Sequence, residues 1–200
     1  MSKKNIKRVS LILLAAALMA ISLFGCGAAP EPSDPPEISN APEQQSEQQS
    51  EESSAADISI GTFTTEDLDG NAVTESIFAE KDYTMVNVWG TFCGPCINEM
   101  PDLEKIHQSL PENIQMIGVV CDLPYGEDAE EILASAKDIV NMTGVTYPSL
   151  RLWDTADWFY STSNVVPTTY FFDSEGKLVG DIIYGADLRA YNDMIALLGN

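Results

Sequence analysis

Cys93 and Cys96 stand either side of Gly94-Pro95, a spacing at which two thiols can close into a disulfide and reopen. Residues 84–89 before them are rich in β-branched and aromatic types. After them, Ile97, Met100, Leu103, Ile106 and Leu110 recur at helical spacing. The pair is therefore predicted to sit where a strand gives way to a helix. The unpaired N–H groups and positive dipole end of a helix start stabilise a thiolate, so Cys93, expected to be the exposed member, is the predicted nucleophile. Many zinc sites share this spacing, but a closed site takes four ligands. Only Cys26, His107 and Cys121 remain as candidates, with no second close pair. Pro95 in the first turn gives up only an N–H that would be orphaned there anyway. Redox use is favoured and no metal is expected.

The surrounding elements must hold this pair in place. A hairpin is expected first, with residues 58–63 and Val73-Thr74 as arms around Asp69-Gly70-Asn71. The strand at 84–89 leads into the cysteines and a helix that contains Pro101 and ends at Pro111-Glu112-Asn113. A strand at 115–121, a helix at 127–142 closed by Gly144, an extended stretch at 145–152 and a short helix at 155–160 follow. Residues 168–172 and 177–184 flank the turn Asp173-Ser174-Glu175-Gly176 as a second hairpin, and 187–198 form a final helix. Alternating strands and helices with a hairpin at the end describe an α/β fold on a mixed sheet.

The first 57 residues read differently. Lys3, Lys4, Lys7 and Arg8 precede a 16-residue apolar run at 9–24, too short to span a bilayer as a helix and suited to an export signal. Leu23-Phe24-Gly25-Cys26 resembles the lipobox of bacterial lipoproteins, which predicts lipidation of Cys26 after removal of residues 1–25. Residues 26–57, proline-rich and then Gln/Ser/Glu-rich without Lys or Arg, bury too little apolar surface to offset their ordering entropy and are expected to be a disordered acidic tether. Without the leader, 6 basic residues face 31 acidic ones, a net charge of −25. Nucleic acid is excluded as a partner, and anionic lipid should repel this surface, leaving the anchoring to the acyl group.

Val86-Asn87-Val88-Trp89-Gly90-Thr91-Phe92-Cys93-Gly94-Pro95-Cys96, then Glu99-Met100-Pro101 and later Val166-Pro167-Thr168-Thr169-Tyr170-Phe171-Phe172-Asp173, resemble the thioredoxin fold, and most closely its membrane-tethered TlpA/ResA-like thiol-disulfide oxidoreductases. The resemblance covers residues 58–200. It implies a thioredoxin-like mixed sheet flanked by helices, with an N-terminal hairpin and a central αβ insertion between Cys121 and Pro167. It also implies a cis peptide before Pro167, set against the dithiol, and backbone groups of Val166 offered to an extended substrate. Trp89 and Phe92 are expected to form an apolar rim beside Cys93, with core packing an equal alternative for Trp89, and Gly94 and Pro95 are expected in contact with substrate. Many thioredoxins carry a buried aspartate where this chain has Asn87. Glu99, three residues after Cys96 and matching an active-site glutamate of the ResA-like members, is the expected replacement that takes the Cys96 proton. Gly94 departs from the acidic residue some of those proteins carry, so their substrate choice does not transfer. Cys121 is expected to be a buried thiol and His107 an exposed helix residue.

The function implied is an extracytoplasmic, lipid-anchored, monomeric enzyme that reduces disulfides of exported proteins. Apocytochrome c, methionine sulfoxide reductases and other thiol enzymes are candidate substrates. A membrane thiol donor would regenerate the Cys93–Cys96 dithiol, and no cofactor is needed. A thiol oxidase acting as disulfide donor is the nearest alternative. A copper carrier or chaperone on the same fold is another, although no histidine follows His107 to serve as a distant ligand. The residues around Cys93 lack the arginine and proline pattern of peroxidases.

Overall fold

The computed structural model describes residues 58–123, 125, 126 and 129–200. The leader, Cys26 and the tether lie outside them. Among the described residues twelve elements follow in order, counting one 3-10 helix. β1 (Thr64–Glu66) pairs antiparallel with β2 (Ala72–Thr74), and a 3-10 helix covers Glu75–Glu80. Then come β3 (Tyr83–Trp89), α1 (Gly94–Ser109), β4 (Ile114–Val120), α2 (Ala129–Thr143), β5 (Ser149–Arg151), α3 (Asp157–Thr162), β6 (Thr168–Asp173), β7 (Ile183–Tyr184) and α4 (Leu188–Leu198).

The main sheet has the order β5-β4-β3-β6-β7, with β3, β4 and β5 mutually parallel and β6 and β7 joining antiparallel. β3 is central because its run of apolar residues can be buried on both faces. Alternation divides it. Met85 and Trp89 join Met100 and Leu103 of α1, Ala136 and Ile139 of α2, and Tyr191 and Leu198 of α4. Val86 and Val88 join the opposite layer, with Phe63, Phe78, Trp153, Trp158 and Phe159. The insertion between β4 and β6 carries α2, β5 and α3, as expected.

The first hairpin has different arms from those expected. Its first strand is Thr64–Glu66, not residues 58–63. Gly61 takes a φ of 68°, a left-handed turn that ends any extended run through 58–63. Residues 58–60 instead line up against the later turn, with Ile60 N donating to Gly176 O and Leu178 N to Ile58 O. The hairpin also covers the β5 edge of the main sheet, where Asp67 bridges Leu150 and Leu68 N donates to Ser149 O. The second arm of the later hairpin is interrupted: Leu178 bridges Phe172, and regular pairing resumes only at Ile183–Tyr184.

Candidate active site

β3 ends at Trp89 and the chain turns through Gly90-Thr91-Phe92 into α1. Two devices hold that turn. The Phe92 ring folds back over Gly90, where a side chain would meet it at 2.6 Å and turn the ring outward. Asp122, just past β4, accepts from Thr91 N at 3.0 Å and from Thr91 Oγ1 at 2.6 Å. No local pattern announces this clamp, because the two residues meet only through the parallel pairing of β3 with β4.

Cys93 is the N-cap of α1 and Pro95 lies in its first turn. The structure holds Cys93 and Cys96 as a disulfide, with the sulfurs 2.00 Å apart. Cys96 N donates to Cys93 Sγ at 3.2 Å, and the helix directs its positive end at that sulfur. Cys93 Sγ also lies 3.5 Å from the carbonyl oxygen of Val166. The Val166-Pro167 peptide is cis, as the resemblance implied. Gly94 and Pro95 are exposed beside the pair.

Both cysteines are buried, Cys93 at 5% exposure and Cys96 at 1%, which corrects the expectation of an exposed Cys93. The cause is the Val166 segment laid across it. Cys93 nevertheless lines a largely apolar groove of about 630 Å³ with Phe92, Phe159, Tyr160, Val165 and Val166, and Cys96 does not. A slightly larger cavity of about 680 Å³, bounded by Phe63, Tyr125 and Trp153 near the first hairpin, contains no cysteine. Phe92 is 72% exposed and forms part of the expected rim. Trp89 does not: it is fully buried, its alternation pointing it into the core beneath α1.

Glu99 lies one turn beyond Cys96 and is buried among uncharged partners. Asn87 Nδ2 donates to Glu99 Oε1 at 3.1 Å and to Thr169 Oγ1 at 3.0 Å, and the Tyr191 hydroxyl lies 3.1 Å from Glu99 Oε2. Burial pushes the carboxyl up to about 7, and the contacts from Asn87 and Tyr191 hold it back from rising further. Such a group is part ionised at neutral pH and can exchange a proton there.

Cys121 also borders the groove. It is half-buried rather than fully buried, and burial followed by the nearby Asp122 carboxylate pushes its thiol up to about 11. Its chemistry is that of a protonated, weakly reactive thiol. His107 is half-buried, not exposed as expected, because its ring packs edge-on against Tyr147 with centroids 5.6 Å apart. Sequence reasoning also missed Tyr191, whose place in an amphipathic helix reads simply as core, and Phe159 and Tyr160, which only the insertion brings to the groove.

The family model described as AhpC/TSA matches residues 58–180. Among curated relatives, the thiol-disulfide oxidoreductase ResA of Bacillus anthracis is 29% identical over 124 residues, covering 60% of this chain and 65% of that protein. ResA of Halalkalibacterium halodurans is 31% identical over 123 residues, covering 58% and 62%. The chain thus spans just under two thirds of the relatives it matches. Among solved structures, the thioredoxin domain of a thiol-disulfide oxidoreductase from Bacteroides vulgatus superposes with a TM-score of 0.54 at 24% identity, covering 68% of this chain and 94% of that one. A DsbF homologue from Corynebacterium diphtheriae superposes with a TM-score of 0.55 at 23% identity, covering 69% and 84%. These neighbours share the thioredoxin-like fold.

Proposed function

Since the chain belongs to the AhpC/TSA family and has a thioredoxin-like fold, we propose that it is a thiol-disulfide oxidoreductase that reduces disulfides of exported proteins at the outer face of a membrane. The observation that carries this reading is the Cys93–Cys96 disulfide at the start of α1, with Cys93 alone of the pair facing the groove and Glu99 buried one turn beyond Cys96. The ResA relatives support the reaction class. The charged start, apolar run and Cys26 support export and lipid anchoring, with residues 26–57 as tether.

In the reduced protein the Cys93 thiolate attacks one sulfur of a substrate disulfide. A mixed disulfide forms and the other substrate sulfur leaves as a thiolate. Glu99, ionised, takes the Cys96 proton, and Cys96 then attacks Cys93 Sγ. The mixed disulfide breaks and the second substrate thiolate departs. Two electrons have passed from the dithiol to the substrate, leaving the disulfide form described above. A membrane dithiol donor reverses that change and completes the cycle. Val166 lines the groove with its carbonyl oxygen beside Cys93 Sγ, a position suited to aligning an extended substrate segment by backbone hydrogen bonds.

The reduction potential of the Cys93–Cys96 couple tests the direction, measured on the full chain in detergent with Cys121→Ser as control. A reductant is expected near thioredoxin's value of about −270 mV. A value near about −120 mV would make the protein a disulfide donor instead.

A further inference from the structure

Tyr191 reaches the active site from α4, at the other end of the domain sequence, and is fully buried. Its hydroxyl oxygen lies 3.1 Å from Glu99 Oε2 and 2.9 Å from the carbonyl oxygen of Gly185. A phenol has one hydrogen, and a peptide carbonyl can only accept. Both contacts are hydrogen bonds at once only if Tyr191 donates to Gly185 and Glu99, protonated, donates to Tyr191. Asn87 donates to Oε1, so the carboxyl proton belongs on Oε2, the oxygen that faces Tyr191.

Ionisation of Glu99 changes this count. Tyr191 then stands between two acceptors, and its hydrogen goes to the carboxylate, where the bond is charge-assisted and stronger. The Gly185 carbonyl loses its donor. Gly185 is also the residue whose N–H is donated to Pro167 O at 2.8 Å, in the segment just ahead of β6 that presents Val166 to Cys93.

We propose that Tyr191 is a positioning residue whose single hydroxyl hydrogen turns between Gly185 and Glu99 as Glu99 gains and loses its proton, tying the proton step behind Cys96 to the Val166-Pro167 segment. This rests on the reading of Glu99 as the acceptor of the Cys96 proton. When Glu99 takes that proton it is kept on Oε2, and the Tyr191 hydrogen returns to Gly185. No proton is created or lost in the exchange. Asn87 on β3 and Tyr191 on α4 bond Glu99 directly, Tyr147 ahead of β5 lies within its electrostatic reach, and Cys96 precedes it by one turn of α1. Thr169 on β6 accepts from Asn87 and is also a hydrogen-bond partner of the Tyr191 hydroxyl, to which its own hydrogen is free to go. The two tyrosines are held in their protonated forms, Tyr147 and Tyr191 both being raised first by burial and Tyr191 reaching about 12. No cation stands among them, so the Tyr191 hydroxyl is the mobile donor for the carboxylate.

The test is a carbon-13 titration of the Glu99 carboxyl, followed together with the backbone amide of Ala186, whose peptide unit contains the Gly185 carbonyl. Both are read in the oxidised full chain, where no exchange reaction is needed. In the unsubstituted protein the Ala186 amide should shift with the same midpoint as Glu99. In Glu99→Gln it should not titrate. In Tyr191→Phe, which keeps the buried ring, the Glu99 midpoint should rise by about one pH unit and the Ala186 shift should vanish, as expected for losing a hydrogen bond to a charged group. An Ala186 amide that ignores the Glu99 titration in the unsubstituted protein overturns the proposal, even if Tyr191→Phe fails to fold. So does an unmoved Glu99 midpoint in a folded Tyr191→Phe. Failure of the oxidoreductase reading would appear separately, as a dithiol that exchanges with no protein disulfide while these titrations proceed as described.

Discussion

Asn87 donates its side-chain amide to Glu99 across 3.1 Å, joining the central strand to the helix that bears the dithiol through a group that cannot ionise. Burial therefore outweighs the pair's hydrogen bonding and leaves the carboxyl protonating near neutrality, at about 7. Glu99→Gln should leave the first attack by Cys93 intact and slow resolution of the mixed disulfide by about a hundredfold, the lower end of general-base effects. Its rate should also lack the rise through pH 7 expected of the unsubstituted protein. Stopped-flow kinetics across pH 5 to 9 would separate the two steps. An unchanged pH profile for resolution would remove Glu99 from the mechanism.

The same carboxyl makes a stability prediction. Its folded value of about 7 lies above its ordinary 4.5, so the folded state binds the proton more tightly. Its favourable contribution is complete below 4.5 and is lost as pH rises through 7. Relative to Glu99→Gln, the unsubstituted oxidised protein should lose roughly 2 kcal/mol between pH 5 and pH 8. Parallel urea titrations at the two pH values provide the check, and a difference independent of pH would contradict it.

Asp122 clamps Thr91 by backbone and side chain just ahead of Cys93. Asp122→Ala leaves those donors without their acceptor and should cost about 1–3 kcal/mol. Amide exchange at Thr91 should speed up before global unfolding does. Equal protection of that amide in both proteins would show that the clamp does not hold the turn.

Tyr160 is 63% exposed and lines the same groove as Phe92. Tyr160→Ala should raise KM for a protein disulfide about tenfold through lost apolar contact, leaving kcat and the reduction potential unchanged. Reaction with a small disulfide that does not span the groove should be unaffected. Equal losses with both substrates would assign Tyr160 to stability instead.

Local signals were enough to read the dithiol, the strand and helix on either side of it, and the insertion. The proline before β6 was also legible, through the motif around it. What escaped were relations between distant segments. Residues 58–63 resemble a hairpin arm, but Gly61 turns the chain and residues 58–60 find their backbone partners near Gly176, more than a hundred positions away. Trp89 reads equally well as rim or core, and the side of β3 on which it falls decides for core. Asp122 and Tyr191 are ordinary in sequence and acquire roles only because β4 ends beside Thr91 and α4 packs over Glu99.

The central claim is that Cys93 attacks and Cys96 resolves. Reduced Cys96→Ser should be mixed with a disulfide-containing protein and the adducts mapped by mass spectrometry. A stable mixed disulfide on Cys93 is predicted, with none formed by Cys93→Ser. Adducts on Cys121 alone, or equal adducts from both variants, would contradict the account.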